Sequence, residues 1–198
     1  MEHKTLSEAV WEDEGFIGYK VGAGFYRVSR DAMFGVYPEF AASSNTDENR
    51  FAEFSAPAVG LGTVVRPGAS VYAGTIIGKY CFIGDSALVR ERVVLGDNVI
   101  IGAGAIVENG VVLGDNTKVM TGAYLCAGTQ IGENCFVGPR AVTLNDKFMG
   151  DPAVPDKVRR EHRAAPVIES GVLIGGNSTI LPGVHIAPGV KMGAATIV

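Results

Sequence analysis

From Val59 onward an aliphatic residue returns every sixth position: Val59, Val65, Val71, Ile77, Ile83, and so on to Val137. The beat fills 14 hexads over residues 59–142. It resumes one residue out of phase at Ile168 and continues through Ile174, Ile180, Ile186 and Met192, making 19 hexads in all. A short repeat of fixed period outranks local propensity, and a hexapeptide period indicates a β-helix in which each unit stacks on its neighbours.

The other hexad positions describe the path of the backbone. The fourth is Gly or Asn in 14 of the 19 hexads. These residue types tolerate left-handed φ/ψ best, so each hexad reads as a short strand followed by a tight corner. The fifth is small or β-branched, as in Thr63, Ala69, Thr75 and Cys81, which suits a narrow interior. Three hexads close an 18-residue triangular coil, so Asn98, Asn116 and Asn134 should stack on one corner. With strands about 4.8 Å apart, roughly six coils give a prism about 30 Å long. A β-sandwich would show period two and turns of varied length instead.

Residues 1–58 do not follow the beat and read as a cap segment and linker, with the β-helix domain at 59–198. Within that segment "SEAVWEDEG" suggests a short helix, the Phe/Tyr/Gly-rich stretch from Gly15 two or three strands, and "SSNTDENR" a polar linker. A cap suits a solenoid, whose end coil otherwise faces water.

The beat is silent from Thr143 to Val167. Continued hexads would place Thr143 in an aliphatic slot and Lys147 in the inward slot, where an unpaired ammonium is prohibitive. The chain must therefore leave the coil. Pro152, Pro155, Pro166 and Gly150 favour a loop, with one helical turn in "DKVRREHR". Long loops on rigid scaffolds are where binding and catalysis concentrate. This one gathers Asn145, Asp146, Lys147, Arg159, Arg160, His162 and Arg163.

The net charge of −4 gives no sign of a nucleic-acid partner. No apolar run is long enough for a membrane span, and the acidic N-terminus does not resemble a signal peptide. Cys81 and Cys135 share the inward slot three coils apart, too far for a disulfide, and Cys126 sits at another position. Free thiols and a cytoplasmic setting are expected.

The stretches "VGPRAV" (137–142), "NDK" (145–147) and "IGGNSTILPGVHI" (174–186) together resemble the hexapeptide-repeat N-acetyltransferases that acylate amino sugars on nucleotide carriers. The resemblance spans about residues 77–198; the aromatic after Asn-Asp-Lys is kept as Phe148, but the following Pro-Arg pair is lost, the sequence reading "FMGDP". It implies an all-β, left-handed parallel β-helix, acetyl-CoA as acyl donor, a nucleotide amino sugar as acceptor and a homotrimer with sites between prisms. Asn145 and Asp146 then become candidate catalytic residues, with His162 as a candidate base if the loop folds back. Lys147, Arg159 and Arg160 become candidate substrate contacts. Gly175, Gly176, Ala194 and Ala195 become candidates for the coenzyme. Rival readings are an O-acetyltransferase on another small acceptor, a non-catalytic β-helix scaffold, and a zinc enzyme of the γ-carbonic-anhydrase kind. For the last, His3, His162 and His185 lack the required spacing, and no metal is expected.

Overall fold

A computed structural model describes residues 9–13, 16–21, 24–29, 31–36 and 57–198. The chain forms a three-sided parallel β-helix whose walls are sheets of ten, seven and seven strands. Most strands in the walls are two residues long, and each pairs with the strand one coil away. Val89, for example, lies between Val71 and Val107, with registers of one coil on each side. The first wall carries Val65, Ile83, Ile101 and Val119, the second Val71, Val89 and Val107, and the third Val59, Ile77 and Leu95. These first-position side chains, apart from Val59, are essentially buried and fill the prism.

All 19 fourth positions have positive φ, between 55° and 82°. Gly and Asn were expected there, but Tyr80, Ser86, Arg92, Arg140 and Ala195 adopt the same conformation. Coil geometry overrides residue preference at these five corners. A different glycine requirement operates at the second position. A Cβ on Gly102 would stand 2.4 Å from the Thr121 nitrogen of the next coil, so that backbone approach excludes any side chain.

The interior hydroxyls repeat one arrangement. Thr63 donates to the Gly78 carbonyl, 15 residues on, and accepts from the Cys81 N–H, 18 residues on. Thr117 does the same with Gly132 and Cys135, and Ser178 with Gly193 and Thr196. Cys81 and Cys135 use their thiols in the same sense, toward Gly96 and Glu169. Among the described residues, no buried side-chain N or O atom lacks a partner. The three cysteines are free and buried, as expected.

The N-terminal segment departs from expectation in two ways. The helix expected within Ser7–Gly15 is absent over its described part, where β1 (Ala9–Asp13) pairs antiparallel with β2 (Phe16–Val21). The edge offered by β2 supplies backbone partners that an isolated turn of helix could not match. β2 in turn pairs with β3 (Gly24–Ser29), and β3 runs parallel to Val64–Val65 in the first wall. β4 (Met33–Val36) pairs parallel with the second wall at Ser70–Tyr72. Val28 and Phe34 thus sit in register with Val65 and Val71, completing with Val59 the coil that precedes them. The expected linker at 43–50 and His3 lie outside the described residues.

The excursion is shorter than its expected 143–167. Val142–Thr143 and Val167–Ile168 are both wall strands, leaving 144–166 outside. Thr143 fits the aliphatic slot because its hydroxyl is satisfied there, accepting from the Cys126 N–H at 2.8 Å and lying 3.1 Å from the Thr129 hydroxyl. The loop contains one helix, α1 (Asp156–Glu161), which buries none of its residues.

Candidate active site

The excursion leaves and rejoins the prism at the corner between the second and third walls. Its base is closed by a single backbone bond: the Ala164 N–H donates to the Asn145 carbonyl at 3.0 Å. Asn145 also fixes the coil beneath, its side-chain nitrogen donating to the Ala127 carbonyl at 2.9 Å. Asn145 is therefore a clasp between coil and loop. One of the two N–H bonds of its side-chain amide is thereby committed to the backbone.

The next residues turn sharply. Asp146 accepts from the Phe148 N–H at 2.9 Å, a local turn that leads into left-handed Met149 and Gly150. Lys147 is exposed, with its ammonium 5.3 Å from the Phe148 ring centroid. The His162 ring stands edge-on to Phe148, centroids 5.9 Å apart. Its Nδ1 is 2.8 Å from the Val158 carbonyl oxygen. A carbonyl only accepts, so Nδ1 donates, which in the neutral ring leaves the lone pair on Nε2.

Arg159 and Arg160 are not brought to the same place. Arg159 pairs with Asp156 within α1, while Arg160 is exposed on that helix. Gly175, Gly176, Ala194 and Ala195 stack at a different corner, between the first and second walls. There the Ala195 N–H donates to the Gly176 carbonyl at 2.8 Å. A Cβ on Gly175 would meet the Ala194 nitrogen at 2.4 Å, and one on Gly176 the Pro139 carbonyl oxygen at 3.0 Å. Coil packing alone thus accounts for both glycines. His185 points outward from the third wall and meets Glu169 at 2.9 Å. No group of three or more His, Cys, Asp or Glu side chains able to hold a metal occurs among the described residues.

Two of the thiols are poor nucleophiles: burial pushes Cys81 and Cys135 up from the ordinary thiol value, leaving little thiolate near neutrality.

Sequence reasoning missed the groove at the foot of the excursion. An open cavity of about 410 Å³ runs along the corner, lined by Arg92, Asn109, Gly110, Gly128, Asn145 and Arg163, with Ala127 beside them. Arg163 was visible only as one loop cation among several. Arg92 had a sharper signal, being a long charged side chain at a corner position where Gly or Asn is the rule.

A three-sided parallel β-helix of hexads with a lateral excursion defines a hexapeptide-repeat protein. The sequence matches the bacterial transferase hexapeptide (six repeats) over residues 74–109 and 110–145, and the hexapeptide repeat of succinyl-transferase over 92–127 and 167–198. Together these matches cover more than half of the chain and flank the excursion on both sides. The chain belongs to the hexapeptide-repeat family.

Solved structures with this fold include a perosamine N-acetyltransferase from Caulobacter crescentus in complex with CoA and GDP-perosamine, with 21% identity and a TM-score of 0.52; the match covers 76% of this chain and 53% of that one. The acetyltransferase domain of PglB from Neisseria gonorrhoeae in complex with acetyl coenzyme A gives 21% identity and a TM-score of 0.53, covering 77% of this chain and 55% of that one. The polySia-specific acetyltransferase NeuO gives 18% identity and a TM-score of 0.53, covering 72% of each chain. This chain therefore matches about half the length of the first two. No curated protein sequence matches it significantly. No helix among the described residues is long and apolar enough to cross a membrane.

Proposed function

We propose that the protein is a coenzyme A-dependent acyltransferase that moves an acyl group, acetyl in the first instance, to the amine of an amino sugar carried on a nucleotide. The observation that carries this reading is the excursion itself. Transferase-type repeats stand on both sides of it, and it holds the His162 ring edge-on to Phe148 with Nδ1 on the Val158 carbonyl, an arrangement that suits Nε2 to act as a base. The neighbouring structures named above, bound to CoA, acetyl coenzyme A or GDP-perosamine, support the choice of donor and acceptor.

In this mechanism the acceptor's neutral amine attacks the thioester carbonyl. A C–N bond forms, the C–S bond breaks, and the coenzyme leaves as a thiolate. His162 Nε2 takes the proton released by the nitrogen, a step that requires it within about 3 Å. Asp146, with one carboxylate oxygen on the Phe148 N–H, orients the acceptor through the other. Lys147 supplies a local positive charge. The coenzyme lies along the corner of small residues at Gly175, Gly176, Ala194 and Ala195.

The reading includes a homotrimer, because outward residues such as Ile76, Phe82 and Leu173 leave apolar surface on the walls. A cytoplasmic setting suits three unpaired thiols.

The test is thiol release from acetyl-CoA with a panel of nucleotide amino sugars, alongside thermal shift with coenzyme A. Release with at least one amine is expected. No release with any of them and no stabilisation by the coenzyme would leave a scaffold or binding module.

A further inference from the structure

The excursion springs from a small hydrogen-bonded ring inside the prism. From Val59 to Met192 the inward residue of every wall strand is apolar except Thr143. Its hydroxyl accepts from the Cys126 N–H at 2.8 Å and lies 3.1 Å from the Thr129 hydroxyl. Thr129 gives its one proton to the Cys126 carbonyl at 2.8 Å. The Thr143 proton is therefore the one shared between the two hydroxyls, with the Cys126 sulfur 3.4 Å away as a weaker second acceptor. The two hydroxyls thus close a ring that begins and ends on the backbone of Cys126. Thr143 is 1% exposed and Thr129 0%, so water does not compete for these bonds.

The residue stacked above explains the arrangement. Thr63, Thr117 and Ser178 bond along the prism, each accepting from an N–H 18 residues on. Gln130 pairs with Val167, so the residue above Thr129 is Pro166, which has no N–H to give. Thr129 turns instead to its own corner, and Thr143 completes the ring.

The ring fixes the peptide to which the loop is tied. The Ala127 carbonyl, next along from Cys126, receives the Asn145 side chain at 2.9 Å. The Asn145 carbonyl takes the Ala164 N–H, and the Ala164 carbonyl takes the Gly183 N–H at 2.7 Å. Between these ties the loop has no packed core of its own: no residue from 144 to 165 is buried. The direction in which it carries Asp146, Phe148 and His162 is thus set at its base.

We infer that Thr129 and Thr143 are positioning residues for the transfer, their hydroxyls holding the base of the excursion in the orientation that brings His162 and Asp146 to the acceptor. The inference rests on the acyltransferase reading for the reaction and on the ring for its residues.

The test compares Thr143→Val and Thr129→Val, which keep the side chain's shape and remove the hydroxyl, with Thr143→Ser, which keeps the hydroxyl. Thr117→Val is the control. It removes an equally buried hydroxyl, bonded to Gly132 and Cys135, at the corner between the third and first walls. NMR of each full-length protein follows the His162 ring protons, assigned by their loss in His162→Ala and displaced by the neighbouring Phe148 ring. Kinetics gives kcat and KM for the amine, and titration gives the affinity for coenzyme A.

Both valine variants at the ring are expected to move the His162 resonances and to lower kcat about tenfold or more, with coenzyme A affinity unchanged. Thr143→Ser should restore both. Thr117→Val should lower the melting temperature as they do, yet leave the His162 resonances and kcat as in the wild type. Unmoved resonances in both ring variants, a Thr143→Ser that behaves as Thr143→Val, or equal displacement by Thr117→Val overturns the inference. If Thr143→Val does not fold, Thr129→Val decides by the same measures. The two readings fail separately. Resonances that move in a protein with no acyl transfer remove the acyltransferase and keep the placement of His162 by the ring, whereas transfer with unmoved resonances removes the positioning alone.

Discussion

The side-chain nitrogen of Asn145 lies 2.9 Å from the carbonyl oxygen of Ala127, one coil below, while its own carbonyl receives the Ala164 N–H. One residue thus ties the outgoing chain to both the prism and the returning chain. Asn145→Ala should destabilise the fold by about 1 kcal/mol, or roughly 2–4 °C in melting temperature. It should also lower acyl transfer by loosening the loop. An unchanged melting temperature with lost activity would restore a direct chemical role for the amide.

His162 is exposed, and its Nδ1 lies 2.8 Å from the Val158 carbonyl oxygen. His162→Ala should therefore leave the melting temperature within about 1 °C while reducing single-turnover acyl transfer by roughly 10²-fold, the lower range for a general base. Equal rates in wild type and variant would remove His162 from the chemistry.

The bond at the base of the excursion makes the loop separable. Replacing residues 146–163 with two glycines should leave a soluble, β-rich protein that unfolds near the wild-type temperature, because each coil draws its stability from its neighbours. Transfer to the amine should be lost. Circular dichroism and thiol release check the two halves, and a deletion that fails to fold would show that the loop supports the prism.

Arg140 holds φ 57° at a corner where Gly68, Gly104, Gly122 and Asn177 stand in other coils. Arg140→Asn should raise stability by about 1 kcal/mol, since a left-handed bulky residue carries a strain of that order. Chemical denaturation measures it, and a destabilised variant would mean that the Arg140 side chain makes compensating contacts.

Burial raises the Cys81 thiol above its ordinary value of 9.0. The unfolded chain therefore ionises first as pH rises. Stability from this group is intact below about pH 9 and falls between the ordinary value and the raised one. Cys81→Ser should flatten that alkaline loss, since a hydroxyl can take over the bond to the Gly96 carbonyl. The dependence of melting temperature on pH between 8 and 11 tests this; identical slopes in both proteins would count against it.

The period of six made the walls, the corners and the inward hydroxyls readable from residue 59 onward. It could not reveal the earlier coil. Val28 and Phe34 form only one six-residue step before the beat is lost until Val59, too brief to stand out from ordinary strand sequence. The helix expected around Trp11 failed because strand pairing with β2, a tertiary partner, outweighed local preference. Thr143 looked like a break because a hydroxyl in an aliphatic slot reads as a fault until Cys126 and Thr129 are seen to satisfy it. At the site, Asn145 and His162 were legible as chemistry but not as geometry. Arg92 was hidden because it is separated from the loop by 50 residues of regular repeat that stacking brings back together.

Because every coil repeats after 18 residues along the same corners, the groove between Arg92 and the excursion behaves as a ruler with fixed divisions. Removing or adding one whole coil between them preserves every pairing register yet moves the two ends closer or farther by about 4.8 Å. Intermediate spacings are inaccessible, since any other change in length turns side chains off their walls. The distance between Arg92 and the excursion is thus counted in coils, and editing repeats resets it without altering either end.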